Sequence, residues 1–437
     1  MNHISITKHS IKPLIAALSA ALFFTSASSA RAENLMEVFQ LAAQNDPTLR
    51  AAAATRDATL ENRPIARANL LPHISASAST TNHYQSSDYN GNSLSLSLTQ
   101  SIYDAANYAG LRQADEQVAQ AEAEYGAAEQ DLIIRVGETY FDVLRKIDDL
   151  EFQRADKSAI SRQLEQARKR YEVGLIAITD VHEAQARFDQ AVASEIDATN
   201  TLDASLENLR EITGQIHESV NPLGEKLTLA KPEPADMKAW VSAAMEQNLT
   251  LLAAVKAADA ARENVSVTRA GHYPTLDLVA STSRTDDGGS APTGLSDDTS
   301  IGLQLSVPIY SGGATSARTR AAEYSYVAAQ ENRELAQRGV QANTRDAYRG
   351  VESSISRVNA LEQVVVSSQS ALDATEAGFE VGTRTIVDVL NAQRTLYGSI
   401  RDLKGARYDY LLNGLRLKQA AGSLAVGDLE TINALLN

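Results

Sequence analysis

The chain has 437 residues, no cysteine and a formal net charge of −15. Without cysteine it has no disulfide framework and no thiolate metal site, and so acidic a surface excludes nucleic acid, whose phosphates demand positive charge. The first 32 residues read as an address: Lys8 and Lys12 open it, Leu14 to Phe24 is a short apolar run, and Ala30-Arg31-Ala32 has the small-x-small form that precedes cleavage, expected before Glu33. Removing that leader, with its cations Lys8, Lys12 and Arg31 and no acids, takes the mature chain to −18. No later stretch holds ~18 consecutive apolar residues, so no transmembrane helix is predicted. A chain of this kind spans a bilayer only as a closed β-barrel, because lipid satisfies no backbone polar groups.

The mature chain reads twice. Leu71-Pro72-His73-Ile74 recurs as Tyr273-Pro274-Thr275-Leu276 at an offset of 202. Ser101-Ile102-Tyr103 recurs as Pro308-Ile309-Tyr310 at 207, and Tyr171-Glu172-Val173-Gly174 as Phe379-Glu380-Val381-Gly382 at 208. Gly214 and Gly422 share the last offset. Repetition in a fixed order means one structural unit used twice. The expected units are 33–221 and 236–422, joined by a connector at 222–235 that carries Pro222, Pro232 and Pro234, and followed by a tail at 423–437.

Each unit opens with a helical stretch, about 35–68 and 236–270, followed by two alternating segments. Ser93-Leu94-Ser95-Leu96-Ser97-Leu98-Thr99 alternates strictly, as do Ile301, Leu303, Leu305, Val307 and Ile309 with their polar neighbours. Ile74, Ala76 and Ala78 alternate with serines, and 275–284 is the weakest case. Period two puts one set on each face of a sheet, and apolar against Ser/Thr/Gln suits lipid outside and water inside. Segments of ~9–10 residues match a tilted membrane strand, and Tyr84, Tyr89, Tyr103, Tyr273 and Tyr310 lie near their ends, where aromatics favour the membrane boundary. Four strands cannot close a barrel. Two copies would give eight strands with a filled interior; three would give twelve and a wide lumen. The polar loops, Ser86 to Asn92 and Thr285 to Asp298, are expected outside the cell.

No proline occurs from His73 to Asn221 or from Ile309 to Asn437, which permits very long helices. Apolar positions step by three and four through Leu111, Ala114, Val118, Ala121, Tyr125, Ala128, Leu132, Val136, Tyr140, Val143, Ile147 and Leu150, the seam of a coiled coil. The spacing predicts a helix from about Ala105 to Glu172, roughly 100 Å long. Glycines Gly174 and Gly382 end the long helices, and Thr179 and Thr385 are the expected caps of the helices that follow.

The second tip reads Gly378-Phe379-Glu380-Val381-Gly382-Thr383-Arg384-Thr385-Ile386-Val387-Asp388-Val389-Leu390, and the first Gly174-Leu175-Ile176-Ala177-Ile178-Thr179-Asp180-Val181. These residues resemble the TolC family of outer-membrane channels used by type I secretion and tripartite drug efflux. The likeness extends to Glu33-Asn34-Leu35-Met36, Leu70-Leu71-Pro72, Pro274-Thr275-Leu276-Asp277-Leu278, Val307-Pro308-Ile309-Tyr310 and Leu209-Arg210-Glu211-Ile212-Thr213-Gly214. The resemblance implies a mixed α and β fold: a homotrimer sharing a twelve-stranded outer-membrane barrel in lipid, continuous with a coiled-coil periplasmic barrel gated at its far end. It implies a gate latch at Thr179, Asp180, Phe379 and Arg384, with Phe379 standing where the family has tyrosine. It implies an acidic aperture ring at Asp388 and, where the family's second acid is replaced, Asn391. It further implies partners: a periplasmic adaptor docking around Gly174, Leu175, Gly382 and Thr383, and an inner-membrane pump of RND or ABC type.

Chemistry is not expected. The histidines at 3, 9, 73, 83, 182, 217 and 272 form no H-x-x-x-H set, and neither phosphate-binding glycine loops nor a nucleophile elbow occur, so no enzyme, metal or cofactor is predicted and transport energy must come from a partner. His182 beside the first tip reads as a helix-surface residue. The alternative left open is a periplasmic coiled-coil structural protein or a surface receptor.

Overall fold

A computed structural model describes residues 33–84, 89–225, 227–289 and 295–436. The expected leader at 1–32 lies outside the described residues, as do parts of both loops expected on the cell surface.

The opening helical stretch is three helices, α1 (Leu35–Asn45), α2 (Pro47–Leu60) and α3 (Asn62–Ala68), not one. Asp46 precedes Pro47, which biases it away from helical backbone; it is extended, with ψ 118°, and its carboxylate accepts the N–H groups of Thr48 and Leu49 to start α2. Pro64 removes a helical N–H donor beside the second break. The second unit breaks at the matching place. Asn248, 202 residues after Asp46, ends α6 (Met237–Gln247) and caps α7 (Leu249–Ala270) through Leu251 N–H at 3.0 Å.

Four antiparallel strands follow the order β1 (His73–His83), β2 (Tyr89–Tyr103), β3 (Thr275–Gly289) and β4 (Leu295–Ser306), so the two halves supply a hairpin each to one sheet whose edges, β1 and β4, pair with no further strand among the described residues. The strands run 11 to 15 residues, longer than the alternation suggested. The exception is the end of β4. Val307 and Ile309 continue the apolar alternation but lie beyond the strand, because Pro308 has no N–H for the ladder. The register settles the faces. Ile74, Ala76 and Ala78 stand opposite Leu98, Leu96 and Leu94, and Ala280, Leu278 and Leu276 opposite Ile301, Leu303 and Leu305. On the other face hydroxyls pair across the strands: Ser75 with Ser97 at 2.8 Å, Ser77 with Ser95 at 2.7 Å and Ser281 with Ser300 at 2.9 Å.

Below the sheet, α4 (Ala105–Glu172) spans 68 residues, from Ala105 to Glu172 as the spacing predicted, and α8 (Ala314–Glu380) spans 67. Each turns at its tip into a shorter helix, α5 (Ile178–Thr213) and α9 (Ile386–Ala421), and α10 (Val426–Asn433) closes the chain. Every predicted seam residue of α4 is buried or half-buried. Towards the sheet α4 packs on α7, with Lys256 reaching Glu116 at 2.9 Å; towards the tip it packs on α5, with Lys157 reaching Glu195 at 2.7 Å. The main core sits midway along α4, where Val136, Tyr140, Phe141 and Val143 meet Leu35 and Val38 of α1, Leu209 of α5, and Leu412 and Leu415 of α9. Phe141 stacks on Tyr408 with centroids 5.4 Å apart, and the Tyr408 hydroxyl donates to buried Asp148 at 2.8 Å beside Lys404 at 2.7 Å. Burial, with Asp148 close by, drives the Tyr408 pKa far above that of a free phenol. Main-chain pairing of Glu33 with Val220, and of Leu223 with Leu436, ties both ends of the described chain to the junction between the first repeat and the connector. No helix among the described residues is long and apolar enough to cross a membrane.

Candidate functional site

The two helix tips are built alike. Gly174 and Gly382 adopt left-handed backbone, φ 75° and 78°, where only glycine is unstrained. Gly174 N–H donates to Tyr171 O and Leu175 N–H to Arg170 O, at 2.9 and 2.8 Å; Gly382 N–H donates to Phe379 O and Thr383 N–H to Gly378 O, at 3.0 and 2.8 Å. These bonds satisfy the last carbonyls of α4 and α8. A Cβ at Gly378 would lie 2.8 Å from Arg384 Cγ, so this glycine lets the arginine side chain cross the helix end.

The tips differ where the next helix begins. Thr385 caps α9 in a closed box: its side chain accepts Asp388 N–H at 3.2 Å, while Asp388 Oδ2 accepts the Thr385 N–H at 2.9 Å and hydroxyl at 2.8 Å. Those donors, the backbone N–H foremost and then the hydroxyl and the charge of Arg384, hold the Asp388 carboxyl below the usual carboxylate range. Thr179 is not a cap. α5 starts at Ile178, its cap position is Ala177, and no side chain serves there. The 208-residue offset pairs Ala177 with Thr385 and points to that position, whereas hydroxyl content alone points to Thr179.

Thr179, Asp180 and Arg384 are exposed, and Phe379 is half-buried in an apolar cluster with Leu372, Val389 and Leu396 inside the α8–α9 hairpin. The ion pairs of this region are Lys169–Glu165, Arg187–Glu183 and, further from the tip, Arg394–Asp156; among the described residues none joins Arg384 to Asp180 within the chain. The two tips nevertheless meet. A cleft of about 260 Å³ is lined by Arg170, Ile176, Asp180 and Arg187 from the first hairpin and by Ile386 and Val387 from the second; these hydrophobic residues were not singled out by sequence. Asn391 is exposed, one turn along α9 from Asp388. Gly174, Leu175, Gly382 and Thr383 are all exposed at the far end, where Val173, Leu175 and Val381 leave 69, 73 and 75% of their surface open. No group of three or more His, Cys, Asp or Glu side chains among the described residues could hold a metal ion.

Comparison with known proteins identifies the family and the fold. The family model described as "Outer membrane efflux protein" matches residues 38–215 and 240–423, once per repeat. The outer membrane protein TolC of Vibrio cholerae is 42% identical over 431 residues, covering 97% of this chain and 98% of that protein. The alkaline protease secretion protein AprF of Pseudomonas aeruginosa is 32% identical, covering 97% of this chain and 92% of its own length. The crystal structure of the Campylobacter jejuni CmeC outer membrane channel superposes with a TM-score of 0.77 over all of this chain and 98% of that one; at 17% identity this establishes the fold.

Proposed function

The chain belongs to the outer membrane efflux protein family, and on that premise we propose that three copies form a gated duct whose latch is the pair of helix tips. The protein is an outer-membrane exit duct that reaches into the periplasm. The observation that carries the trimer is the open sheet: four strands with both edges unpaired, one face apolar, set on rods of 67 and 68 residues. An unpaired edge is untenable in lipid, and β4 of one copy is free to pair with β1 of the next. Twelve strands then enclose a lumen in outer-membrane lipid, while the helices bury their exposed apolar residues against neighbouring copies.

In this reading Asp180 accepts a charge-assisted hydrogen bond from Arg384, with Thr179 and Phe379 beside it. Since the pair is not joined within one chain, it is a contact that the assembled ring must make. Asp388 and Asn391 line the aperture, so three carboxylates face the axis. The exposed apolar tips around Gly174, Leu175, Gly382 and Thr383 receive the helical hairpin of a periplasmic adaptor, and an inner-membrane pump of RND or ABC type supplies energy, since the chain has no nucleotide fingerprint. The cargo is drugs, secreted proteins or both, and the chain itself catalyses nothing. The duct is built from the repeats 33–221 and 236–422, with the connector 222–235 and the tail 423–437 at the equator.

The test is purification of the full chain from outer membranes. Heat-resistant trimers that conduct weakly in planar bilayers, and conduct several-fold more with Arg384→Ala, are expected. A soluble monomer without conductance would sink the duct, and unchanged conductance in Arg384→Ala would sink the latch.

A further inference from the structure

We infer that the barrel carries a cation filter of its own, far from the tips, made by Asp277 and Asp298 on the water-facing side of the sheet. This rests on the three-chain barrel proposed above. The face follows from register. Asp277 stands opposite Gln304 and Ser101, and Asp298 opposite Ser283, all on the face that carries the paired serine hydroxyls and not on the leucine face. Of the lumen-face positions whose side chains are described, only His73, Asp277 and Asp298 are ionisable. The strand arginine, Arg284, lies opposite Leu94 and Asp297 on the outward face, 3.7 Å from Asp297. No permanent cation among the described side chains therefore offsets the two carboxylates inside.

Three copies place six carboxylates in two rings. Ser283 is six residues beyond Asp277 on β3, so the rings lie about 20 Å apart along the strand. Twelve strands spaced ~4.8 Å and tilted about 40° give a backbone radius of about 12 Å, which side chains narrow further. The Debye length is ~10 Å at 0.1 M salt and ~3 Å at 1 M. At low salt the field of the wall therefore reaches the axis, and at high salt it does not. The small hydroxyls that make up the rest of this face leave the lumen wide and wet, so cations are enriched and anions depleted along the barrel without a binding site for either.

The chain has no cysteine, so one introduced thiol can report the local potential independently of the gate. Ser97 faces the lumen between the two rings, opposite Ser281. In purified Ser97→Cys trimers at pH 8, the rates of a cationic (trimethylammonium-ethyl) and an anionic (sulfonatoethyl) methanethiosulfonate are compared. A potential of about one kT per charge favours the cation roughly sevenfold, because the reagents differ by two charges. The expected result is a clear cation preference at 0.1 M salt. It should fall at least about threefold in Asp277→Asn/Asp298→Asn and vanish at 1 M, with no change in Asp286→Asn, which removes one carboxylate from the outward face. A ratio that Asp277→Asn/Asp298→Asn leaves unchanged, or that Asp286→Asn lowers equally, overturns the filter while the trimer stands. Failure of Ser97→Cys to react with either reagent overturns the face assignment, and a parent chain that forms no trimer removes the three-chain reading beneath it.

Discussion

Thr385 gives its hydroxyl to Asp388 Oδ2 at 2.8 Å, while Ala177, at the matching position of the first repeat, has no side chain with which to engage Asp180. Equivalent acids thus have different duties: Asp388 is committed to capping its helix, and Asp180 is free for a partner. Ala177→Thr should close the second box and stabilise the start of α5 by about 1 kcal/mol. In doing so it draws the Asp180 carboxylate away from Arg384, so the variant should conduct more in planar bilayers although its helix is firmer. Equal or lower conductance would remove Asp180 from the latch.

Phe379→Tyr should act in the opposite sense. The ring already rests against Leu372, Val389 and Leu396, so a hydroxyl at its tip adds a donor without moving the hairpin. A hydrogen bond to Thr179 or Asp180 is worth about 0.5–1.5 kcal/mol per protomer, and three of them should lower conductance measurably. A tyrosine variant that conducts as much as the parent, or more, would show that the hydroxyl finds no latch partner.

How much of this was legible depended on how local the determinant is. The extent of α4 follows from the absence of proline and a seam stepping by three and four, both carried by the helix itself, and Ala105 and Glu172 are its observed ends. The alternation of β4 overran, because apolar period two continues through Val307 and Ile309 while Pro308 ends the ladder. The break at Asn248 was hidden for the opposite reason: no proline follows it, and a capping side chain alone starts α7. At the tips the turn glycines were legible from residue type. The Ala177 cap position was not, since it is defined by its place in the repeat and alanine carries no capping signal. Which tip residues meet across the 260 Å³ cleft depends on helix packing over more than 200 residues of separation, which no local pattern encodes.

Asn391→Asp tests the aperture. Asn391 is exposed one turn from Asp388, whose carboxylate is engaged by its capping donors. A second acid there would double the carboxylates of the ring from three to six and leave the new ones unengaged. Selection for cations and block by multivalent cations should both strengthen. The reading fails if block in planar bilayers is unchanged.

Asp46 links pH to stability at the equator. Burial raises its pKa, but the Arg135 guanidinium and the N–H groups of Leu49 and Thr48 outweigh burial and hold the carboxyl below its ordinary value of 3.8. A depressed folded-state value means that the contribution is fully present above pH ~4 and is lost as pH falls through the folded pKa. Asp46→Asn keeps an acceptor for the cap but discharges the partner of Arg135, so it should cost about 1.5–3 kcal/mol at neutral pH. It should also flatten the acid limb below pH ~4, read as the dissociation temperature of the trimer against pH. An acid limb identical to the parent's would assign acid sensitivity elsewhere.

Gly422 and Gly214 occupy the same place in the two repeats, with φ 79° and 73°, yet they should differ in cost on substitution. At Gly422 a Cβ would sit 2.3 Å from Gln247 O and 2.7 Å from Asn248 N, the backbone of the α6–α7 break, which cannot yield without moving both helices. At Gly214 a Cβ would meet Asn45 Cβ at 3.5 Å, an ordinary contact. Gly214→Ala should therefore lose only the left-handed backbone penalty, about 1–2 kcal/mol. Gly422→Ala adds overpacking to that penalty and should lose more than about 3 kcal/mol in all. The trimer dissociation temperature should fall modestly in Gly214→Ala and sharply, or beyond assembly, in Gly422→Ala. Equal losses would mean that the α6–α7 break gives way as readily as the turn at Asn45, so the second equatorial junction is not the tighter of the two.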